Sequence, residues 1–366
     1  MTRRLVVVGG GILGTMHAVE GTRLGYEVVQ LERDGEPRGA SVRSFGLVWV
    51  SGRAAGAELS LALRAREHWG EIGRRAPAIG FRACGSITCA RSEAELAVLE
   101  EAASRNDAGG RGLKLLTAGE VGAVCPSVHA RVLAGLWCEH DAAVEPRRTL
   151  PALRELAAST GPYTFLPGRH AVEVRPNGVR DHLGRWHEGD LVVACVGASP
   201  GPFLSEVLGR APVRRVRLQM LETEPLASAL PCALAGGDSL RCRAACARSA
   251  SDRLPAQDEA AARRRSQLLV VQRADGALTV GDTYDDAEPF PFDLDEGAYN
   301  HLSATAGSLF RHALPPVRSR WSGVYSETTD ARPYYRNEVV SGVLVVTGLG
   351  GRGMTTAPAI AEDTLA

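Results

Sequence analysis

A strand, a glycine-rich turn and a helix open the chain, and this combination restricts the possible fold more than any other feature. An apolar, β-branched run typical of a buried parallel strand covers residues 5–8, and the motif Gly9-x-Gly11-x-x-Gly14 follows it directly. The first glycine permits a tight turn, the second lets the backbone approach a pyrophosphate, and the third allows close packing of helix on strand. Phosphates would then lie at the helix N-terminus, where free N–H groups and the helix dipole favour anions.

The second predicted strand supports the same interpretation. Gly25 ends the first helix, residues 27–31 form the strand, and Glu32 follows it, 18 residues after Gly14. A carboxylate in this position can accept hydrogen bonds from ribose hydroxyls. The opening residues therefore predict a Rossmann-type dinucleotide-binding unit, although an acid here does not by itself distinguish FAD from NAD.

Composition excludes several classes of partner. The 366 residues include 42 basic and 42 acidic ones, whereas binding to nucleic acid or to a membrane surface needs a basic excess. No apolar run reaches transmembrane length. The eight cysteines form no C-x-x-C pair, so we expect free thiols in a reducing cytoplasm and no metal site. Lys114 is the only lysine, so we expect a bound anion to meet arginine.

The other predicted elements are scattered along the chain. Helices are predicted over residues 57–70, 92–105, 147–158 and from about Thr355, and strands over 80–90, 190–196, 213–223, 342–347 and in a hairpin within 266–282. Residues 247–265 are predicted to be a surface loop or helix. This order predicts an α/β fold in which a β-rich, α+β substrate domain is inserted into a Rossmann-type domain. The predicted boundaries are 1–75, 145–212 and 325–366 for the Rossmann-type domain and 76–144 and 213–324 for the substrate domain.

Five blocks of sequence, in the expected order, resemble the D-amino-acid oxidase and glycine oxidase superfamily of FAD-dependent oxidoreductases. They are the fingerprint with Leu31-Glu32-Arg33, then Gly39-Ala40-Ser41, residues 141–146, residues 192–198, and residues 347–354 with Ala357-Pro358-Ala359 behind them. The resemblance implies FAD as the cofactor, bound non-covalently. It also implies a cofactor-binding set composed of Gly9, Gly11, Ile12, Leu13, Gly14, Glu32, Arg33, Ala40, Ser41, Arg43, Ser44, Val172, Gly197, Ala198, Gly348, Gly350, Gly351, Gly353 and Met354. The last glycines open a helix, whose positive end would stabilise the negative charge of a reduced flavin.

Further stretches resemble a narrower, bacterial branch of this superfamily that is associated with phosphonate breakdown. They are residues 40–49, 217–223, 278–282 and 321–325. The branch is linked to oxidative deamination of aminoethylphosphonate derivatives. This sequence departs from it at polar pocket positions: Cys242-Arg243 stands in place of a His-Tyr pair, Thr283-Tyr284-Asp285 in place of a Ser-His-Glu type sequence, and no histidine follows Tyr325 closely. These departures leave the substrate open, whereas the glycines expected to bind the cofactor are kept.

Arginine is the natural group to hold the anionic end of such a substrate, since its planar fork matches a carboxylate or phosphonate. The candidates near the expected flavin face are Arg43, Arg217, Arg241, Arg243 and Arg352. Motif position favours Arg43, Arg241 and Arg352, and Tyr325 and Gln219 complete the predicted catalytic set. Glycine oxidases carry a substrate-binding arginine at the position of Gly351, and the shift to Arg352 disfavours a simple α-amino acid. The histidines His17, His68 and His140 are assigned structural roles.

The expected function is FAD-dependent oxidation of a small amine, with hydride transfer from the carbon that bears nitrogen to flavin N5. An aminophosphonate-like substrate is one option, and oxygen or another compound would accept the electrons. A tailoring enzyme of secondary metabolism, acting on a different amine or on a C–C or C–O bond, is the alternative. A non-catalytic FAD-binding protein is a third reading, and the sequence leaves the oligomeric state open.

Overall fold

The computed structural model describes residues 2–129 and 131–366, which form nineteen strands and ten helices. The strands are β1 Arg4–Val8, β2 Glu27–Leu31, β3 Leu47–Val48, β4 Ser86–Ala90, β5 Leu113–Thr117, β6 Ala134–Cys138, β7 Ala142–Ala143, β8 Tyr163–Leu166, β9 Ala171–Arg175, β10 Gly178–Asp181, β11 Trp186–Glu188, β12 Leu191–Ala194, β13 Val213–Pro225, β14 Ala233–Gly236, β15 Leu269–Gln272, β16 Ala277–Gly281, β17 Val317–Thr328, β18 Tyr335–Val340 and β19 Val343–Thr347. The helices are α1 Ile12–Arg23, α2 Ala57–Arg75, α3 Glu93–Ser104, α4 Ala118–Val124, α5 Pro146–Thr160, α6 Pro202–Gly209, α7 Ala247–Arg253, α8 Glu259–Arg264, α9 Glu296–Gly307 and α10 Gly353–Leu365.

The first sheet has six strands in the order β18-β19-β12-β1-β2-β8, and β1 lies parallel to both of its neighbours. Alternate residues of β1 face opposite layers, as the two-residue period of a strand requires. Leu5 and Val7 pack into the apolar core shared with α1, α5 and α10. Val6 and Val8 pack on the other side, in a core that includes Ala171 and Val179 of the small sheet β11-β10-β9. Burial on both faces explains why β1 is apolar throughout.

The second large sheet has eight strands in the order β17-β13-β16-β15-β14-β4-β6-β5. Its strands pair antiparallel except for β14 and β4, which are parallel. A separate apolar core lies against this sheet and includes residues of α4 and α9. The expected α/β fold, with a Rossmann-type sheet and a second, β-rich unit, is confirmed.

Several boundaries differ from those expected. The C-terminal helix begins at Gly353 and not near Thr355, since the glycine turn before it already curls into a 3₁₀ turn. The segment 247–265, expected to be a surface loop or helix, forms two short helices, α7 and α8, in agreement with the second alternative. Strand β17 runs through the predicted boundary at 324/325, because Tyr325 pairs with Val216 and continues the ladder with β13.

None of the helices in the described part of the chain is long and apolar enough to span a bilayer.

Candidate active site

Two hollows meet at the N-terminus of α1. The first, which we call the dinucleotide cleft, has a volume of about 1170 Å³ and is lined by Val8, Gly9, Gly11, Ile12, Leu13, Leu31, Glu32, Arg33, Asp34, Pro37, Arg38, Gly39, Ala40, Ser41, Arg169, His170, Ala171, residues 195–201, residues 324–326, Thr347, Leu349, Gly350 and Gly353. The second, which we call the inner cavity, has a volume of about 1470 Å³ and is lined by Ile12, Ala40, Ser41, residues 43–45, Leu47, Trp49, Gly52, Arg53, Glu58, Leu218, Met220, residues 242–244, Gln267, Leu269, Asp282, Tyr284, Gly323, Tyr325, Glu327 and residues 350–354.

The glycines of the opening turn have the geometry that the motif predicts. Gly9 has a φ of +112°, and a Cβ there would lie 2.3 Å from the carbonyl oxygen of Cys195. A Cβ on Gly14 would lie 2.1 Å from the carbonyl oxygen of Gly9, so any side chain would push α1 away from the turn. In contrast, a Cβ on Gly11 would meet only Ser41 Oγ, at 3.2 Å. The space in front of Gly11 is therefore open to a ligand, while the other two glycines fix the turn.

The N-terminus of α1 is poised to hold an anion. Its cap residue, Gly11, offers no side chain to the first N–H groups of the helix. The N–H of Ile12 donates instead to Ser41 Oγ at 2.9 Å, so Ser41 lies within one hydrogen bond of the helix end. Free N–H groups and the positive end of the helix dipole point into the cleft, which is the arrangement that binds a pyrophosphate.

Glu32 lies in the wall of the dinucleotide cleft and is 9% exposed. Backbone N–H groups hold its carboxylate from two sides, with Gly10 N 2.6 Å from Oε2 and Asp34 N 3.0 Å from Oε1. Each carboxylate oxygen has a second lone pair, so the fixed carboxylate can still accept hydrogen bonds from the hydroxyls of a bound ribose.

Most of the residues predicted to bind a cofactor line one of the two hollows, and three do not. Gly14 supports the turn from below. Val172 is 42% exposed, and its neighbours Arg169, His170 and Ala171 line the cleft in its place. Gly348 has a φ of +73° and donates its N–H to Ser326 Oγ at 3.1 Å. It therefore shapes the turn between β19 and α10 but lines neither hollow.

A second helix also begins at these hollows. Gly350 and Gly353 line both of them, and α10 starts at Gly353 with no side-chain cap. The N-termini of α1 and α10 therefore border the same space, and α1 and α10 pack against each other. Two positive helix ends would stabilise negative charge that develops between them.

Three of the five predicted catalytic side chains lie in the inner cavity. Arg43 is exposed at its edge and donates from Nη1 to the Ser322 carbonyl oxygen at 2.6 Å. Arg352 donates from Nε to Glu58 Oε1 at 3.1 Å. Tyr325 borders both hollows, and burial raises the pKa of its phenol well above the ordinary value, so the phenol stays neutral.

Gln219 and Arg241, the other two predicted catalytic residues, do not line the inner cavity. Gln219 lies on β13 between Leu218 and Met220, which face the cavity, so its side chain points to the other side of the sheet. There its Oε1 accepts a 2.8 Å hydrogen bond from Asp295 N. Arg241 turns back to Asp238 Oδ1 at 2.6 Å.

Arg217, also considered as a substrate ligand, is likewise directed elsewhere. Its guanidinium donates to the carbonyl oxygens of Pro291 and Asp293, at 2.8 and 2.6 Å, and so holds the loop before α9. His17 is buried among the helices that cover the sheet, and burial lowers its pKa to about 4. His68 pairs with Glu362 at 3.1 Å, and none of His17, His68 and His140 lines either hollow.

Sequence reasoning missed Asp282, the residue that follows β16. Asp282 lines the inner cavity and is 7% exposed. Gln267 Nε2 donates to its Oδ1 at 2.7 Å, and no ion pair to it is found among the described residues. Burial raises the pKa of this carboxyl to about 7. Asp282 ends residues 278–282, one of the stretches that resemble the phosphonate-associated branch, and this was the available signal; burial cannot be read from that position.

A shared carboxylate neutralises part of the cavity's positive charge. Glu58 Oε1 lies 3.1 Å from Arg352 Nε and 3.5 Å from Arg53 Nη1. Burial lowers the pKa of Arg53 to about 10, which leaves it cationic at neutral pH. Glu327, which lines the cavity from strand β17, is paired with Arg214 at 2.8 Å.

Arg243 is the most buried arginine of the inner cavity, at 6% exposed. Its Nη1 donates to Thr88 Oγ1 at 2.7 Å and its Nη2 to Ser239 Oγ at 3.0 Å. The guanidinium lies over the ring of Trp49, 4.7 Å from its centroid, and its Nε has no hydrogen-bond partner among the described residues.

A buried carboxylate positions the loop that carries Trp49 and Arg53. Asp141 is fully buried and accepts hydrogen bonds from the N–H groups of Val50 and Ser51, at 2.6 and 3.0 Å. Its Oδ2 also accepts from the hydroxyls of Ser51 and Ser86, each at 2.7 Å. These four bonds tie the loop after β3 to β4 and so fix one wall of the cavity.

Comparisons with known proteins agree with this geometry. The model of the family described as FAD dependent oxidoreductase matches residues 4–366. Among solved structures, glycine oxidase from Geobacillus kaustophilus superposes with a TM-score of 0.79 at 20% identity, covering 100% of this chain and 94% of that one. Iminodiacetate oxidase from a Chelativorans species gives 0.77 at 18% identity, covering 98% and 93%. L-α-glycerophosphate oxidase from Mycoplasma pneumoniae, with FAD bound, gives 0.75 at 15% identity, covering 100% and 94%. No protein with a curated function matches the sequence significantly.

The residues of the dinucleotide cleft fit the cofactor that the family model names. The open space in front of Gly11 and the uncapped N-terminus of α1 fit a pyrophosphate. The fixed carboxylate of Glu32 fits the hydroxyls of a ribose. Because the two hollows share a wall, a dinucleotide bound in the cleft would have its far end beside the inner cavity.

Proposed function

The chain belongs to the family of FAD-dependent oxidoreductases, its cofactor is FAD, and from that premise we propose that it oxidises a small amine at a carbon–nitrogen bond. The observation that carries the proposal is Asp282, a buried carboxyl in the inner cavity that has no cationic partner among the described residues. A protonated amine is the ligand that such a carboxylate attracts, since a buried charge needs an opposite one.

Asp282 can also prepare the amine for reaction. An amine that enters as an ammonium must lose a proton before it can release a hydride from the adjacent carbon. The pKa of Asp282, about 7, lets its free Oδ2 accept that proton near neutral pH. The other charged and titratable residues that line the cavity are Arg43, Arg53, Cys242, Arg243, Tyr284, Tyr325, Glu327 and the Glu58–Arg352 pair. When bound, FAD supplies the two-electron acceptor for the hydride.

Other residues of the chain would position the reactants. The uncapped N-terminus of α10 favours negative charge beside it. Tyr325, at the junction of the two hollows, keeps its proton and can donate a hydrogen bond from its phenol. Leu218, Met220 and Phe45 line the cavity with apolar surface, which limits the water around the reacting carbon.

We further propose that the substrate carries an anionic group, as an aminophosphonate-like compound does. The inner cavity contains more arginine than carboxylate, and the resemblance to the phosphonate-associated branch gives the same class. Two of the structural neighbours are named for amines that carry carboxylates, glycine and iminodiacetate. The eight free cysteines fit a reducing compartment such as the cytoplasm.

The second candidate is a tailoring enzyme that oxidises a different amine or a C–O bond. Cys242 and Arg243, which replace the His-Tyr pair of the branch, both line the inner cavity. The wall of the inner cavity therefore differs from that branch at two positions, which favours a different substrate. The fold also occurs in an oxidase of glycerophosphate, so the architecture does not dictate the bond that is oxidised.

The test is an anaerobic reduction screen on the purified, FAD-loaded protein. Aminophosphonates, N-methyl amino acids, amino sugars and glycerophosphate are mixed with the protein in turn, and bleaching of the visible flavin band is followed by stopped flow. We expect an amine to bleach the flavin, at a rate that rises with pH through about 7. Asp282→Asn should slow this step by about 10²–10⁴-fold and remove that pH dependence. Bleaching by glycerophosphate and by no amine would establish the second candidate instead, and Asp282→Asn with the wild-type rate would refute the assigned role.

A further inference from the structure

We propose that Arg243 binds the oxyanion end of the substrate, a carboxylate or phosphonate, deep in the inner cavity. The inference rests on the proposed function, because it assigns one end of the substrate whose amine meets Asp282. Nothing in the position of Arg243 along the chain requires this role. It follows from three observations: the guanidinium is buried with neutral partners, the other arginines of the cavity are engaged or exposed, and donors of the guanidinium remain free.

The first observation concerns charge. Arg243 is 6% exposed, and both of its side-chain hydrogen bonds go to neutral hydroxyls, those of Thr88 and Ser239. Within residues 2–129 and 131–366, no carboxylate forms an ion pair with it. A buried cation without a partner is costly, so such a site is completed by an anion that binds from outside.

The other arginines of the cavity are engaged or exposed. Arg53 and Arg352 share Glu58, which leaves little of their charge for a ligand. Arg43 is exposed and donates to the Ser322 carbonyl oxygen, so solvent screens its charge. Arg243 is thus the one cavity arginine in the described chain that is both buried and without a carboxylate in an ion pair; the buried Asp141 acts on it only at longer range.

The third observation is geometric. The ring of Trp49 lies against one face of the guanidinium, at 4.7 Å, and fixes its plane. Thr88 and Ser239 each use one N–H of the two terminal nitrogens. The second N–H of each terminal nitrogen remains for a ligand, and the buried Nε has no hydrogen-bond partner among the described residues. Free, coplanar donors on a fixed guanidinium match the two oxygens of a carboxylate or phosphonate.

The place of Arg243 in the cavity separates the two ends of the substrate. Its side-chain contacts, Thr88, Ser239 and Trp49, lie outside the wall that the inner cavity shares with the dinucleotide cleft. An anion bound there leaves the amine end free to lie nearer to the shared wall. The substrate class is therefore a compact amine with an oxyanion at its far end.

The test uses two small anions, acetate and methylphosphonate, as probes of the FAD-loaded protein. Each is titrated into wild type, Arg243→Met and Arg241→Met, and the perturbation of the visible flavin spectrum, or competition with a reducing amine, gives the affinity. Arg241→Met is the matched control, since Arg241 lies two residues away and pairs with Asp238 outside the cavity. We expect at least one probe to bind wild type and Arg241→Met alike, and Arg243→Met to bind it about 30-fold more weakly or worse.

The two probes identify the oxyanion: stronger binding of acetate indicates a carboxylate substrate, and stronger binding of methylphosphonate a phosphonate. Equal binding by wild type and Arg243→Met would overturn the inference, as would the absence of binding of either probe to wild type. If Arg243→Met does not fold with FAD, Arg243→Lys keeps the charge and should bind the probe with intermediate affinity.

A measurement on wild type alone keeps this inference separate from the proposed function. Ethylamine is compared with the amine that carries the better-binding anion, 2-aminoethylphosphonate or β-alanine, and the inference predicts that only the second compound of that pair reduces the flavin efficiently. Equal reduction by both would refute the anion site and leave amine oxidation standing. Binding of a probe that depends on Arg243, without reduction by any amine, would support the anion site and refute amine oxidation.

Discussion

The backbone N–H of Gly10 donates a 2.6 Å hydrogen bond to Oε2 of Glu32, which joins the glycine turn after β1 to the end of β2. The bond holds the carboxylate against the wall of the dinucleotide cleft. It links the two parts of the fingerprint, the loop for the pyrophosphate and the acid for the ribose, in one rigid unit.

Replacing Glu32 with Ala should therefore strip FAD from the protein. The change removes a charged acceptor for the ribose hydroxyls and leaves Gly10 N and Asp34 N without their partner. We expect FAD affinity to fall by about 10- to 100-fold. The measurement is the ratio of flavin to protein absorbance after purification. Glu36→Ala, an exposed carboxylate outside the cleft, is the control and should stay yellow; a fully yellow Glu32→Ala protein would disprove the assigned role.

Gly14→Ala tests the close packing of α1 on the turn. The new Cβ would lie 2.1 Å from the carbonyl oxygen of Gly9, so the helix must shift, at a cost of about 1–3 kcal/mol or more. A lower midpoint of thermal unfolding and a lower FAD content are expected together. Gly35→Ala is the control, since nothing lies within 4 Å of a Cβ there. A Gly14→Ala protein that melts and binds FAD like wild type would contradict the packing argument.

FAD should be released completely when the protein is precipitated with acid. Members of the superfamily that bind flavin covalently use a histidine after the second strand or a cysteine upstream of an aspartate, to which Asp330 corresponds here. This chain has no histidine in residues 41–46, and Gly323 stands at the cysteine position. Cys195 borders the dinucleotide cleft, but burial raises the pKa of its thiol and so suppresses the reactive thiolate. Flavin fluorescence is measured in the supernatant and the pellet. A yellow pellet would show a covalent bond.

Lys114→Met should leave the reoxidation of reduced flavin by oxygen unchanged within about threefold, a barrier change under roughly 0.7 kcal/mol. Some amine oxidases of the superfamily place a lysine beside the flavin, whereas Lys114 lies on the edge strand β5, is exposed and pairs with Glu120 at 3.4 Å. It lines neither hollow. Stopped-flow mixing of reduced protein with oxygen gives the rate, and a hundredfold drop would show that Lys114 acts at the flavin.

The free energy of unfolding of Asp282→Asn, relative to that of wild type, should increase as the pH rises from about 4 to about 7. Folding raises the pKa of Asp282 from 3.8 to about 7, so in this window the folded protein binds a proton that the unfolded chain has released. The free energy of unfolding of the wild-type protein therefore falls as the pH rises and levels off above the pKa that Asp282 has in the folded state. The penalty reaches about 4 kcal/mol, and the asparagine variant escapes it. Thermal midpoints of wild type, Asp282→Asn and the exposed control Glu36→Gln are compared across this range; a constant difference between wild type and Asp282→Asn would contradict the shift.

The sequence by itself determined the opening unit, since a strand, a glycine turn and an acid at fixed spacing make local demands. Gly9 and Gly14 need backbone geometry that any side chain would block, and their roles could be assigned before the fold was known. The strands β12 and β19 could be recognised because burial on both faces leaves a continuous apolar run in the sequence.

Only the tertiary structure decided which polar side chains enter the inner cavity. Gln219 lies within residues 217–223 and Arg241 directly precedes Cys242-Arg243, yet the alternation of a strand and an ion pair with Asp238 turn their side chains away from the cavity. Arg243 and Asp282 enter the cavity from segments about forty residues apart, and their burial depends on Trp49 and Gln267, which come from other parts of the chain. The charge state of such groups is set by desolvation and by partners distant in sequence, and neither is encoded in local spacing.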